Sequence, residues 1–192
     1  MKREQAIAIA DEIIELYRVH GNEEYSGEKV TQLEHMVQAA QLAQQQGYDE
    51  EVVLAAFLHD IGHICVDSGL ENNMDGFGIK DHEEVGADFL KQKGFSKKVI
   101  RLVESHVEAK RYLTRRDPDY YEQLSEASKK TLEFQGGRMS EEEADAFEKY
   151  PLFNLIIGMR RWDEAAKVTG LPAPELEFFR RLIIGHLTAT VN

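Results

Sequence analysis

An all-α fold in one bundle-like domain is what this sequence predicts, on three observations. Apolar residues recur at helical spacing along nearly the whole chain. Glycines, prolines and capping residues fall between those runs rather than inside them. No convincing apolar–polar alternation marks a strand. The 192 residues fit one domain over 1–192. At that size roughly 70% of the unfolded chain's surface can be buried, so the core needs no staples.

The elements follow in order. Ile9, Ile13, Ile14 and Tyr17 define a first helix that Gly21 can stop. A second spans about 29–46 and meets Gly47. A third starts near Asp49 and carries Val52, Val53, Phe57 and Leu58 into His59. Residues 66–80, with three glycines and two asparagines, form a polar loop long enough to act as a lid. Helix resumes over 81–93. Ser96 can cap the next one, which the pattern carries through His106 towards Leu113, and Asp117-Pro118 breaks it. Two short helices follow, near 119–124 and 125–134. Ser140 with Glu143 fits a capping box for a helix to Lys149. Pro151 can open a helix to about Val168, and Pro172 and Pro174 precede the last, 175–187.

Composition excludes several classes of function. Lys plus Arg is 23 and Asp plus Glu is 35, a formal net charge of −12. Such a surface is repelled by nucleic acid and by anionic membranes, though it leaves room for a local basic pocket. The one cysteine, Cys65, rules out an internal disulfide framework and multi-cysteine zinc modules, and a reducing cytoplasm is the expected compartment. No stretch approaches 18 apolar residues, and charges interrupt the apolar positions at the N-terminus as they do not in a signal peptide.

The chemistry concentrates in histidines. His59-Asp60-Ile61-Gly62-His63 places two imidazoles four residues apart, on one face if the segment is helical, with a carboxylate beside them. Imidazole and carboxylate together suit zinc or iron without sulfur. His35, His82, His106 and Asp163 lie on separate helices, and bundles build metal sites from one such residue per helix. Lys110 falls four residues after His106, and Arg160 three before Asp163, so each shares a face with a candidate ligand. A fork and a point charge of this kind would neutralise an anionic group next to a metal. Arg111, Arg115 and Arg116 are expected as solvated surface charges. His20 and His186 are expected as helix-end histidines favoured by the dipole, and Trp162, Phe178 and Phe179 as core.

The order His35, His59-Asp60, Asp163 resembles the HD-domain superfamily. With His82 and His106 between the pair and the last aspartate, it resembles the members that hold two metals. Longer segments narrow the resemblance: YSGE (25–28), QLEH (32–35), LHDIGH (58–63), HEEVGADFL (82–90), HVEAKRYL (106–113), SEASKKTLEFQGG (125–137) and RRWDEAAK (160–167). These are similar to the C–P-bond-cleaving phosphonate oxygenases, which use a mixed-valent pair of irons and O2.

The resemblance implies a set of roles. His35, His59, Asp60 and Asp163 would hold one iron; Asp60, His82 and His106 the other, with Asp60 bridging. His63 would bind substrate rather than metal. Lys110, Ser128, Gln135 and Arg160 would face the phosphonate, and Glu28 would sit near an amine end. Tyr25 could occupy an iron position until substrate displaces it. The implied substrate is 1-hydroxy-2-(trimethylammonio)ethylphosphonate, giving glycine betaine and phosphate; the primary amine analogue, giving glycine, is the alternative. A trimethylammonium group favours aromatic faces and diffuse negative charge, and the loop offers Met74 and Phe77. A divalent-metal phosphohydrolase remains open, because Lys110 and Arg160 would serve a phosphate equally well.

Overall fold

The computed structural model describes residues 1–25, 27–66, 74–172 and 175–189. Its regular structure among those residues is helical: α1 (Arg3–His20), α2 (Gln32–Gln45), α3 (Glu50–Leu58), a 3-10 turn (Ile61–His63), α4 (His82–Gln92), α5 (Lys97–Glu104), α6 (His106–Arg116), α7 (Pro118–Gln123), α8 (Glu126–Phe134), α9 (Glu141–Phe147), α10 (Phe153–Ala165) and α11 (Leu176–Ala189). No described helix is long and apolar enough to cross a membrane.

Helix α3 is the axis of the core. Every residue from Val52 to Leu58 is buried, because α2, α5, α10 and α11 pack around it. A helix apolar on all sides has to lie inside. Phe57 stacks between Tyr17 (ring centroids 4.4 Å apart) and Phe179 (3.9 Å). Tyr17 then donates its hydroxyl to the Phe57 carbonyl at 2.7 Å. Helices α1 and α11 lie together on one side and α4 and α5 on another; α10 packs on α2 and α6.

Several boundaries differ from the sequence expectation. Helix α2 starts three residues late because Thr31 and Glu34 form a capping box. The expected helix through His106 is two helices, broken at Ser105. The loop's residues 67–73 lie outside the described residues. Its end is a turn in which Met74 N donates to Gly78 O (2.9 Å) and Phe77 N to Met74 O (2.9 Å). Gly76 and Gly78 take φ of 90° and 93° there, which glycine alone adopts freely.

The arginines of α6 are not bare surface charges. Arg111 reaches Glu143 (3.2 Å), Arg115 reaches Glu141 (2.7 Å), and Arg116 reaches Glu148 (3.0 Å) as well as Glu141 and Asp145. This row straps α9 to α6. His186 also departs from expectation. Its Nε2 accepts from Ser96 N (3.1 Å), and burial pushes its pKa down, so it is neutral rather than a dipole-favoured cation.

Candidate metal centre and pocket

The two ends of the His59–His63 segment do not share one helix. Helix α3 ends at Leu58, the chain turns through His59 and Asp60, and His63 closes the 3-10 turn. The turn brings Asp60 to the middle of four histidines, His59 beside it and His35, His82 and His106 from other segments.

The two oxygens of Asp60 face different partners. Oδ1 lies 3.2 Å from His82 Nε2 and 3.2 Å from His106 Nε2, which are 2.9 Å from each other. Oδ2 lies 3.5 Å from His35 Nε2 and 3.4 Å from His59 Nε2, which are 3.1 Å apart. Asp163 Oδ1 stands 3.5 Å from His35 Nε2 and completes a cluster of His35, His59 and Asp163 donors. All six side chains are buried.

The backbone fixes which nitrogen each histidine presents. Nδ1 of His59 donates to Ala56 O (2.8 Å), of His82 to Ile79 O (2.9 Å), and of His106 to Val103 O (2.7 Å). Nδ1 of His35 donates to Ala166 O (3.0 Å), just past α10. A carbonyl can only accept, so each Nδ1 carries the hydrogen and each Nε2 turns a lone pair inward. Asp60 Oδ1 is buried without a hydrogen-bond donor. Paired lone pairs about 3 Å apart beside an orphaned carboxylate oxygen require a proton or a cation between them. The six donors therefore fit two metal ions, one on each side of Asp60.

The same arrangement perturbs the charges when no metal balances them. Burial disfavours the charge on Asp60, but the surrounding histidines outweigh it and hold its carboxyl well below the usual range. Burial works against a charged His59, yet Asp60 and Asp163 raise it to about 9.

His63 lies close enough to Asp60 and His82 to join that cluster, and it stacks on His82 with ring centroids 4.1 Å apart. Its wiring is the reverse of the other four. Its Nδ1 accepts from Ile79 N (3.2 Å). Burial and the neighbouring His82 push its pKa well down. A neutral ring accepting at Nδ1 carries its hydrogen on Nε2 and can donate there. Tyr25 matches it on the other side: it stacks on His35 at 3.9 Å and donates its hydroxyl to Asp60 Oδ2 at 2.8 Å.

A pocket with an empty volume of about 440 Å³ opens over this centre. Tyr25, Glu28, His63, Lys110, Ser128, Gln135 and Arg160 all line it, with Met74 and Phe77 contributed by the turn before α4. Lys110 is buried and donates to Thr131 Oγ1 at 2.9 Å. Burial, then the nearby Arg160, push its pKa well down. Arg160 donates Nε to the Tyr120 hydroxyl (2.7 Å) and pairs with Asp163 and Glu164. Gln135 Oε1 is buried without a partner.

The structure thus gathers every residue singled out in the sequence, and adds some. Thr131 joins through Lys110, and it lies three residues after Ser128 on the same face of α8. Glu164 joins because it lies four residues after Arg160 on α10, and Lys167 joins from just past that helix. That periodicity was the available signal; it does not say which charges turn inward.

The chain is similar to known proteins along most of its length. Residues 33–144 match the HD-domain family. The chain is 43% identical over 173 residues to a [1-hydroxy-2-(trimethylamino)ethyl]phosphonate dioxygenase (glycine-betaine-forming) of Leisingera caerulea, covering 88% of this chain and 87% of that one. It is 44% identical over 167 residues to a hydroxymethylphosphonate dioxygenase of Gimesia maris, covering 86% and 81%. An uncharacterised protein of Acanthamoeba polyphaga mimivirus is 42% identical over 189 residues, covering 98% and 86%.

Proposed function

The chain belongs to the HD-domain family, and from that premise we propose that it is a two-iron, O2-dependent oxygenase that cleaves the C–P bond of a 1-hydroxyphosphonate. The observation that carries the reading is Asp60, whose two oxygens divide between two histidine pairs. In this reading His35, His59 and Asp163 would hold one iron and His82 and His106 the other, with Asp60 between them. The Nε2 atoms of each histidine pair are 3.1 and 2.9 Å apart, close enough for one cation to sit against both.

When bound, iron supplies the one-electron chemistry that O2 needs and that zinc lacks. The chain's own part is binding, charge and exclusion of water. Lys110 and Arg160 face the phosphonate, with Ser128 and Gln135 offering neutral hydrogen bonds. The Nε2 hydrogen of His63 is a donor for the substrate. Tyr25 holds Asp60 from the pocket side until substrate takes its place. The atoms balance: a 1-hydroxyphosphonate and O2 give a carboxylic acid and phosphate. The substrate we assign is 1-hydroxy-2-(trimethylammonio)ethylphosphonate, giving glycine betaine. The similar Leisingera caerulea enzyme supports this, as do the apolar Met74 and Phe77 and the carboxylate of Glu28 in the pocket wall.

The test is O2 uptake with parallel phosphate release by iron-loaded protein, given the trimethylammonio, primary-amino and hydroxymethyl phosphonates in turn. Equal O2 use and phosphate release with the trimethyl compound is the expected result. No O2 use with any of them, and turnover of phosphoesters with Mn2+ or Mg2+ instead, would replace this reading with hydrolysis.

A further inference from the structure

Glu28 is the acidic group in the pocket wall that the proposed function pairs with a cationic tail, and it already has a cation. Lys167, just past the end of α10, places Nζ 2.9 Å from Glu28 Oε1. The same ammonium lies 3.1 Å from Ser128 Oγ and 3.3 Å from Glu164 Oε2. Glu164 has a second cation in Arg160. Glu28 has only Lys167 as a cationic partner among the described residues, with Ser125 Oγ donating to it at 2.6 Å. The Lys167 and Glu28 side chains are 15% and 14% exposed, so bulk salt screens the pair weakly.

We propose that Lys167 determines tail specificity: by holding Glu28 it offsets the attraction this carboxylate exerts on a cationic substrate tail. The inference rests on the phosphonate reading of the pocket. A tail-less hydroxymethylphosphonate has no charge for Glu28 to attract. A trimethylammonium tail feels the sum of Glu28 and Lys167, which nearly cancel at a distance. Removing the lysine charge leaves Glu28 a mostly buried carboxylate with the Ser125 hydroxyl as its remaining donor, so its negative charge is free to attract the substrate tail. Lys167 also reaches Ser128 at the phosphonate end, but disturbing Ser128 affects both substrates alike. The ratio between substrates therefore separates charge from mere positioning.

The experiment compares iron-loaded wild type, Lys167→Met, Lys167→Gln and the double variant Lys167→Met/Glu28→Gln. Phosphate release gives kcat/KM, and calorimetry gives Kd, for the trimethylammonio and hydroxymethyl phosphonates. The expected result is a rise of at least tenfold in the preference for the cationic tail in both single variants, reversed in the double variant. An unchanged or smaller ratio, a loss shared equally by both substrates, or a gain that survives Glu28→Gln would overturn the proposal. A wild type that binds the phosphonates but turns over neither refutes the oxygenase reading instead, and the Kd ratio still decides the role of Lys167. Failure of both compounds to bind overturns both.

Discussion

Gly62→Ala should detach one half of the centre from the other. Gly62 lies in the turn between Asp60 and His63, against the first residues of α4. A Cβ there would stand 1.9 Å from the His82 carbonyl oxygen, 2.7 Å from its carbon and 2.9 Å from Gly86 N. Real Cβ atoms essentially never come closer than 3.0 Å, so the shortfall is 3.0 − 1.9 = 1.1 Å. Each obstacle is backbone, so no side chain can swing aside. Helix α4 has to retreat by about that distance and carries His82 with it, whereas metal–ligand bonds tolerate shifts of only about 0.2 Å. Overpacking of this kind costs about 1–3 kcal/mol, a fall in Tm of roughly 2–12 °C for a chain of this size. His35, His59 and Asp163 lie away from α4. We therefore expect metal analysis after iron loading to give one ion per chain instead of two, with helical circular dichroism kept and phosphate release down at least a hundredfold. Gly86→Ala presses on the same contact from the other side, at 3.1 Å from Gly62 N, and should show a milder version of each effect. Two ions per chain and an unshifted Tm in Gly62→Ala would refute the reasoning.

Three further outcomes follow from the same geometry. Asp60→Asn keeps the shape but removes the negative charge shared by both sites, so both ions should be lost; normal iron content would contradict the bridging role. Metal loading of the metal-free protein should expel a proton from His59, because a group raised to about 9 is protonated at neutral pH and must be neutral to ligate. In weakly buffered solution that proton is measurable at pH 7 and absent above about pH 10, and the apparent affinity should fall with acidification across that window. Phe57→Ala removes the ring stacked between Tyr17 and Phe179 and should cost about 3–5 kcal/mol, read as a Tm roughly 6–20 °C lower.

Much of this site is legible in the sequence, though not always for the reason the pattern offers. The spacing of His59 and His63 read as one helical face; the turn between them puts them in different clusters instead, with opposite hydrogen-bond polarity. The apolar pattern runs unbroken from Val99 through Val103 to Val107, so it predicts one helix where there are two. The break at Ser105 lets His106 Nδ1 reach Val103 O while Nε2 faces Asp60, a tertiary demand no local propensity records. Thr31 and Glu34 did carry the start of α2 in their spacing. The row of arginines in α6 could not be told from solvated charge, because its partners in α9 lie 25 residues and more along the chain.

Three of the four inward-facing histidines share one device: His59, His82 and His106 each tie Nδ1 to the carbonyl three residues earlier. Their aim is written into short stretches of main chain, each portable as a unit, and is indifferent to which side chains line the pocket above. His35 alone takes its anchor from far away, at Ala166. On the proposed reading of the pocket, its wall can change from one substrate tail to another without retuning the ligands beneath it. The exception is the segment 163–167, which carries Asp163, the anchor of His35 and Lys167 together, so a change made there for selectivity also tests the hold on the first metal.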